Sequence, residues 1–217
     1  MNRTYNLEDS MPHFIKAANE SPPVEILILN YNSQDNLAEF IKGVSGLKKG
    51  NTLSYVKYEG EKYYHLAHAW NLAVRASVGD YIVIAGADAI FEKDYVKTLR
   101  GLINNNYTWM RARRYKGIVA IKRNVFMEIG GYDERFEVYG GEDKDLEARL
   151  IRKKEKFGLI PRNLVNVIRT PQSKKLVNYT PNISQDEAER LELKILSEDK
   201  IVANKGKPWG QFYYEKV

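Results

Sequence analysis

The alternation of apolar runs with segments of helical periodicity constrains this chain more than any other feature of its sequence. Residues 24–30 read Val-Glu-Ile-Leu-Ile-Leu-Asn, a pattern typical of a buried strand. Residues 35–46 follow with apolar side chains at helical spacing, and strand, helix and strand patterns return at residues 53–58, 65–78 and 81–85. Alternation of this kind implies parallel strands joined by helical crossovers. It predicts a Rossmann-like α/β fold with a mostly parallel central sheet flanked by helices.

Charge and cysteine content limit the classes of partner and of site. Lys and Arg exceed Asp and Glu by 34 − 28 = 6, a balance that suits a phosphate-rich partner such as a nucleotide, a nucleic acid or an anionic membrane face. The basic residues are scattered and match no nucleic-acid recognition motif, so we expect no nucleic-acid partner. The chain has no Cys, which excludes disulfides and thiolate metal sites and is compatible with a reducing compartment.

Apolar runs along the chain are short. None approaches the roughly 18 apolar residues that a bilayer-spanning helix needs, and the first 20 residues have no apolar stretch of the signal-peptide kind. We therefore predict no transmembrane segment and a cytoplasmic location. Contact with a membrane surface stays open as an alternative.

Polar residues follow three of the predicted strands, at 30–33, 58–60 and 86–89. In open α/β sheets, ligands bind outside the carboxyl ends of the strands, so these segments together predict a site for a base, a ribose and a diphosphate. For residues 30–33, a plain loop and helix start is an equally good interpretation, because Asn and Ser favour such positions for backbone reasons.

Asp88 is the sharpest candidate among these strand-end residues. An acid at the end of an apolar strand is suited to hold a divalent cation against a diphosphate, and Gly86 lets a phosphate approach the backbone. A turn or helix-cap role before Phe91 is the alternative. His65 and His68 lie three residues apart, but a metal pair needs a third ligand, so packing is the simpler interpretation.

Two glycine pairs, at residues 130–131 and 140–141, precede an acidic helix start. They leave room for a flat sugar ring under Tyr139. Glu142 and Asp143 stand in the first helical turn, where acids stabilise the helix dipole by a few tenths of a kcal/mol to about 1 kcal/mol. A carboxylate beside such a cleft is also suited to act as a general base on an attacking hydroxyl, and both interpretations stay open.

Taken together, these stretches resemble nucleotide-sugar glycosyltransferases of the GT-A fold, most closely the C-terminal half of the β-1,4-galactosyltransferase and chondroitin-polymerase type. The resemblance runs from about residue 24 to residue 195 and is strongest over residues 116–132 and 139–146, which contain the Gly-Gly-Glu-Asp pattern. It implies transfer of a sugar, with inversion, from a nucleotide-diphosphate donor, a UDP-sugar, to a hydroxyl of a glycan or glycolipid acceptor.

The resemblance also implies roles for individual residues. Asp143 would be the general base, Glu142 would orient the acceptor sugar, and Tyr139 would stack on it beside Gly141 where the family usually has Trp. Asp88 matches the second acid of the Asp-x-Asp motif and would hold Mn²⁺ or Mg²⁺. The implied donor-binding residues are Asn30, Tyr31, Asn32, Glu59, Asn71, Gly86, Ala87 and Asp88.

The chain departs from the family pattern on the metal side. Gly86 replaces the first acid of Asp-x-Asp, Ala89 stands where a third acid is common, and Thr170 occupies the place of a late His ligand. A cation from the protein is therefore an alternative to the metal, with Arg169, Lys174 and Lys175 as candidates. A catalytically inactive GT-A domain that binds nucleotide or glycan within a larger assembly is the alternative function. A nucleotidyltransferase would need a Gly-rich phosphate loop after the first strand, which is absent.

The length of 217 residues fits one sizeable core with an added C-terminal arm. We predict a single domain over residues 1–217, with a nucleotide-binding part at about 24–115, an acceptor-binding and catalytic part at about 116–204, and an arm at 205–217. The aromatic residues of the arm are expected to pack back on the body.

Overall fold

Helices and strands alternate along the first half of the chain. The structure is a computed structural model that describes residues 1–138, 140–171, 173–174, 177–180, 183–210 and 215–216. The elements of the first half are α1 (Thr4–Glu20), β1 (Glu25–Tyr31), α2 (Leu37–Gly43), β2 (Thr52–Tyr58), α3 (Leu66–Ala76), β3 (Tyr81–Ile84), β4 (Ala89–Phe91) and α4 (Tyr95–Asn104).

Shorter strands dominate the second half. Its elements are β5 (Trp109–Ala112), β6 (Val119–Lys122), α5 (Arg123–Glu128), α6 (Glu142–Arg152), β7 (Phe157–Ile160), a 3₁₀ turn (Arg162–Leu164), β8 (Val165–Val167), α7 (Gln185–Leu196) and β9 (Glu215–Lys216). Among the described residues, no helix combines the length and apolar character needed to cross a bilayer.

The strands form three ladders, in the orders β1-β2-β9, β3-β6-β5-β7 and β4-β8. β1 pairs with β2, and β5 with β7, in parallel; the other described pairs are antiparallel. The predicted α/β fold with flanking helices is confirmed, whereas the ladders are more mixed than the predicted mostly parallel sheet. The physical reason is loop length: α2 carries the crossover that parallel β1 and β2 need, while residues 113–118 make a short connection that returns the chain antiparallel from β5 to β6.

The helix α1 is longer than its apolar pattern predicts. That pattern indicates a helix only at residues 11–18, but α1 begins at Thr4. Its first turns bury the polar residues Thr4, Asn6 and Ser10, which bond to other parts of the chain and leave no apolar periodicity to read. The strands β4, β5, β7 and β9, of two to four residues, were also not predicted; β3 is equally short, but it is an apolar run that follows the turn pair Gly79-Asp80.

The main apolar cluster lies between the sheet of β3 and β6 and the helices α3, α5 and α6. Ile84, Ile121, Phe126 and Leu150 are among its buried members. Trp209 of the C-terminal arm packs against this cluster, and the Arg75 guanidinium lies 4.1 Å from its ring centre. Packing of the arm on the body is thus seen at Trp209; residues 211–214 of the same prediction lie outside the described residues.

Candidate active site

The carboxyl ends of the strands are tied to one another by backbone hydrogen bonds. The Asn32 N–H donates to the Tyr58 carbonyl at 2.7 Å, which joins the ends of β1 and β2. The Ile168 N–H donates to the Asp88 carbonyl at 2.8 Å, which joins the end of β8 to the segment between β3 and β4. The loops after β1 and β2 therefore lie side by side, and the segment that contains Asp88 adjoins the end of β8.

The N-terminal segment, residues 1–10, is bound to these same strand-end loops. The Asn2 N–H donates to Ser33 Oγ at 3.0 Å, and the Ser10 hydroxyl donates to the Ala87 carbonyl at 2.7 Å. The segment therefore bridges the loop after β1 and the loop after β3. Nothing in its local sequence pattern signals this position, because the bonds join residues 31 and 77 positions apart.

Asp88 lies beside a glycine that has little room for any other residue. A Cβ built on Gly86 would be 2.6 Å from Asp88 Oδ1, so the loop needs glycine unless the carboxylate moves. The Asp88 side chain is 16% exposed, and its Oδ2 lies 3.7 Å from Arg3 Nη1. The strand-end acid therefore faces a guanidinium from the N-terminal segment.

The side chains around Asp88 do not fit a divalent cation. In the part of the chain that the structure describes, no three His, Cys, Asp or Glu side chains come together as a metal-binding group. Mg²⁺ is usually held by one or two carboxylates together with substrate phosphates, and here Gly86 and Ala89 leave Asp88 as the one acid of residues 86–89, where it is already paired with the Arg3 guanidinium. His65 and His68 also lack a third ligand among the described residues; their rings lie 5.8 Å apart, and burial first, then His68, lowers the pKa of His65 to about 4.

Two of the predicted donor-binding residues, Asn30 and Tyr31, have buried side chains that organise the loop after β1. Asn30 Nδ2 donates to the Tyr55 hydroxyl at 2.7 Å, and its Oδ1 accepts from the Ser33 N–H at 2.7 Å. The Tyr31 hydroxyl bonds to His68 Nδ1 at 2.8 Å, and burial raises the pKa of that hydroxyl. These side chains are committed within the protein, so a donor contact at Asn30 or Tyr31 is left mainly to the backbone.

Asn32 and Glu59 are more accessible. Asn32 has a left-handed backbone with φ of 49°, and its Nδ2 donates to the Glu61 carbonyl at 2.8 Å. Glu59 is exposed and forms an ion pair with Lys57. Their contact with a nucleotide stays a prediction, and their position at the ends of β1 and β2 is compatible with it.

Asn71 is fully buried and joins α3 to the turn of the first glycine pair. Its Nδ2 donates to the Tyr132 carbonyl at 2.9 Å and to Glu134 Oε1 at 2.8 Å, while its Oδ1 accepts from the Tyr132 N–H at 2.8 Å. All these groups are internal, so we interpret Asn71 as a structural residue and leave it out of the donor site proposed below.

Asn71→Ala is expected to lower the free energy of unfolding by roughly 1–3 kcal/mol, because the buried Tyr132 N–H loses its acceptor. Urea unfolding measures the loss. Asn105→Ala is the matched control, since Asn105 is exposed and its side chain only caps the carbonyl of Gly101. Equal effects of the two substitutions would contradict the structural role of Asn71.

Arg149 holds the turn of the first glycine pair from the side of α6. It is fully buried, donates from Nη1 to the Ile129 carbonyl at 2.9 Å and from Nη2 to the Gly131 carbonyl at 2.8 Å, and donates from Nε to Asp145 Oδ2 at 2.8 Å. Asp145 therefore does more than complement the helix dipole. The sequence pattern did not reveal Arg149, because an Asp and an Arg four residues apart on a helix usually form a surface pair.

The helix α6 begins at the second glycine pair. Gly141 caps it with φ of 85°, and a Cβ there would lie 2.7 Å from Phe136 and from Glu192, so backbone angle and space both require glycine. Glu142 is 4% exposed and its Oε2 accepts from the Gly140 N–H at 3.0 Å. Burial is the main cause that raises the pKa of Glu142.

Asp143 is the carboxylate best suited to proton transfer. Its Oδ1 is buried and has no hydrogen-bond partner within the described part of the chain. A Cβ on Gly117 would lie 3.0 Å from its Oδ2, so this glycine keeps the space in front of the carboxylate open. Burial first, then the charges of Glu142 and Glu147, raises the pKa of Asp143 to about 7.

The pKa of the Tyr64 hydroxyl is affected by charges from the strand-end side and from the acidic helix start. Burial raises the pKa of its hydroxyl, the Arg3 charge lowers it, and the Glu142 and Asp88 charges raise it. Both acids are therefore within electrostatic reach of one side chain. Tyr139, predicted to stack on the acceptor, lies outside the described residues.

The α/β fold with helices flanking its sheets is that of the GT-A class. The chain belongs to glycosyl transferase family 2, whose family model matches residues 3–145. The matched segment includes residues 3–10 of the N-terminal segment, all three strand-end loops and the pair Glu142 and Asp143. A search of curated protein sequences finds no match.

Solved structures agree on the fold. The mannosyltransferase PcManGT from Pyrobaculum calidifontis superposes with a TM-score of 0.59 at 17% identity, over 72% of this chain and 51% of its own. TarS from S. aureus superposes with a TM-score of 0.60 at 11% identity, over 90% of this chain and 68% of its own. The catalytic domain of Drosophila β1,4-galactosyltransferase 7 superposes with a TM-score of 0.54 at 13% identity, over 83% of each chain. The chain thus spans about half the length of the mannosyltransferase, and identities this low show the fold alone.

Proposed function

We propose that this chain transfers a sugar from a nucleoside-diphosphate donor to a hydroxyl of a glycan or glycolipid acceptor, with inversion at the anomeric carbon. The observation that carries the proposal is Asp143. It stands at the glycine-opened start of α6, and its pKa is raised to about 7. A general base works best when its pKa is near the working pH, because it is then ionised and still basic enough to accept a proton.

The reaction assigned to Asp143 is a single displacement. The acceptor O–H gives its proton to the carboxylate as the oxygen forms a bond to the anomeric carbon of the donor sugar. The bond from that carbon to the diphosphate oxygen breaks, and its electron pair leaves with the nucleoside diphosphate. Attack opposite the leaving group inverts the anomeric carbon.

Glu142 is assigned to the acceptor side. One of its oxygens accepts from the Gly140 N–H, which orients the carboxylate beside Asp143. The Gly-Gly-Glu-Asp block carries the resemblance to the β-1,4-galactosyltransferase and chondroitin-polymerase type, and it supports an acceptor hydroxyl on a sugar. Stacking of that sugar on Tyr139 is part of the same proposal and comes from the resemblance.

The donor is assigned to the strand-end side, with Asn32, Glu59 and residues 86–88 as its proposed contacts. Gly86 and the connected ends of β1 and β2 support a phosphate-bearing ligand there. Uridine as the base rests on the resemblance. The mannosyltransferase that shares the fold is complexed with GDP-Man and Mn²⁺. The resemblance implies Mn²⁺ or Mg²⁺ here too, but the described residues do not fit such an ion, so we assign no step to a metal.

The test of this proposal is the pH dependence of transfer. Below pH of about 7 the rate is expected to fall about tenfold per pH unit, because Asp143 becomes protonated and loses its function as a base. The measurement is release of nucleoside diphosphate from UDP-, GDP- and TDP-sugars, with and without oligosaccharide acceptors. A rate independent of pH between about 5 and 8 would contradict the role of Asp143. Absence of release from every donor would favour the catalytically inactive GT-A domain.

A further inference from the structure

We propose that the Arg3 guanidinium, and not a divalent cation, supplies the positive charge that faces the donor diphosphate at residues 86–88. The inference rests on the proposed function, since it names the group that binds the diphosphate of that donor. Arg3 is not one of the cation candidates from the sequence. Of those, Arg169 is exposed, Lys174 Nζ lies 5.9 Å from the centre of the Tyr5 ring, and Lys175 is outside the described residues.

The contact between Arg3 and Asp88 leaves the guanidinium available for a ligand. Nη1 of Arg3 lies 3.7 Å from Asp88 Oδ2, which is an ion pair but longer than a hydrogen bond. A guanidinium has five N–H donors in a planar fork that matches two phosphate oxygens. Its side chain is 22% exposed, so most of it is held by protein while an edge stays accessible. Asp88 thus positions the guanidinium instead of occupying its donors.

The backbone on both sides of Arg3 is fixed to the loop after β1. Asn2 N–H donates to Ser33 Oγ at 3.0 Å, and Thr4 N–H donates to Asp35 Oδ2 at 2.9 Å. The α1 helix starts directly after Arg3. A cation held in this way loses little conformational freedom when a ligand binds, which favours affinity.

The N-terminal segment contacts the two residues, Asp88 and Thr170, that stand where the resemblance places metal ligands. Arg3 pairs with Asp88, and Asn6 Nδ2 donates at 3.4 Å to the hydroxyl of Thr170, the residue that replaces the late His. A divalent cation beside Asp88 would also stand close to the positive charge of Arg3, and like charges at such distances repel strongly in a partly buried site. The chemistry of the side chains therefore favours the guanidinium over a metal.

The experiment is calorimetric titration of the protein with UDP, GDP and TDP, once in EDTA and once in Mn²⁺. We expect one diphosphate to bind in EDTA with an affinity within about threefold of that in Mn²⁺. Arg3→Ala should weaken binding in EDTA roughly ten- to one-hundredfold, the effect of losing hydrogen bonds to a charged group. Arg3→Lys should give an intermediate loss, because it keeps the charge and loses the fork.

Lys16→Ala is the matched control, since it removes one exposed positive charge from the same helix at a distance from the strand ends. It should bind as the wild type does, and thermal unfolding of each variant checks that α1 remains folded. Binding that requires Mn²⁺ and is unchanged in Arg3→Ala would overturn the inference and leave the proposed function standing. No binding of any diphosphate in either buffer would overturn both.

Discussion

Asp143→Asn is expected to reduce sugar transfer by roughly 10²- to 10⁴-fold, the usual contribution of a general base. The amide has nearly the shape of the carboxylate but does not accept the acceptor proton at neutral pH. Donor affinity should be unchanged, because the donor is assigned to the strand-end side, which Asp143 does not line. The measurement is kcat and KM for nucleoside-diphosphate release, together with the calorimetric affinity for the diphosphate.

Glu147→Gln is the matched control for Asp143→Asn. Glu147 is another acid of α6; it accepts from Arg111 Nε at 3.2 Å, and its charge raises the pKa of Asp143. This variant should retain activity within about threefold, and its pH profile should shift slightly to lower pH, because one charge that opposes ionisation of Asp143 is gone. Equal losses in the two variants would indicate a general effect of α6 charge and would refute the assignment of the base.

Stability gives an independent readout for Asp143→Asn. The folded protein holds the pKa of Asp143 at about 7, above its ordinary 3.8, so the protonated form is favoured in the fold. This contribution to stability is fully present below pH 3.8 and is lost as the pH rises through about 7. At pH of about 8 the asparagine variant should therefore be more stable than the wild type by roughly 1–4 kcal/mol, since one pKa unit corresponds to about 1.4 kcal/mol. An inactive variant that is also less stable at this pH would point to damage of the fold instead of loss of a base.

Arg149→Met is expected to lower the free energy of unfolding by roughly 3–5 kcal/mol. The substitution leaves the buried Asp145 carboxylate without its main partner and removes the donors that hold the carbonyls of Ile129 and Gly131. Lys200 Nζ, 3.8 Å from Asp145 Oδ1, is too far to replace those hydrogen bonds. Urea unfolding at neutral pH measures the loss.

Two further variants test the reason for that loss. Arg152→Met is the control on the same helix, and it should cost less than about 1 kcal/mol because its ion-pair partner, Asp199, is exposed. The double variant Arg149→Met with Asp145→Leu should recover part of the stability, because no buried charge is then left unpaired. A loss below about 1 kcal/mol in Arg149→Met would show that the buried pair does not hold the glycine turn.

Some features of the candidate site could be predicted from the sequence, because they depend on residues that are close together in the chain. The apolar runs predicted β1, β2 and β3, and the general geometry of α/β sheets then placed the strand-end loops near one another. The order Gly-Gly-Glu-Asp predicted a helix start with two acids, and α6 begins at Glu142. The fold class and the resemblance to GT-A glycosyltransferases followed from these local patterns, whereas the β-1,4-galactosyltransferase and chondroitin-polymerase type stays a prediction.

Other features arise from contacts between distant parts of the chain. Asn71 was predicted to bind the donor, yet its partners are at Tyr132 and Glu134, more than 60 residues away. Arg3 had no predicted role, because its side chain pairs with Asp88, a residue far from it in the sequence. The short strands β5 and β7 were missed because their pairing with each other, with Trp109 opposite Phe157, defines them and their local periodicity does not.

The sequence by itself determined the α/β class, the end of the sheet at which to look for a ligand, and the acids at the start of α6. Local periodicity and turn chemistry act between residues a few positions apart, so they can be read directly from the order of amino acids. The tertiary structure alone decided that Arg3 faces Asp88 and that Arg149 is buried beneath the glycine turn. It also decided that the pKa of Asp143 is raised to about 7, because burial and the approach of other charges depend on the whole packed chain.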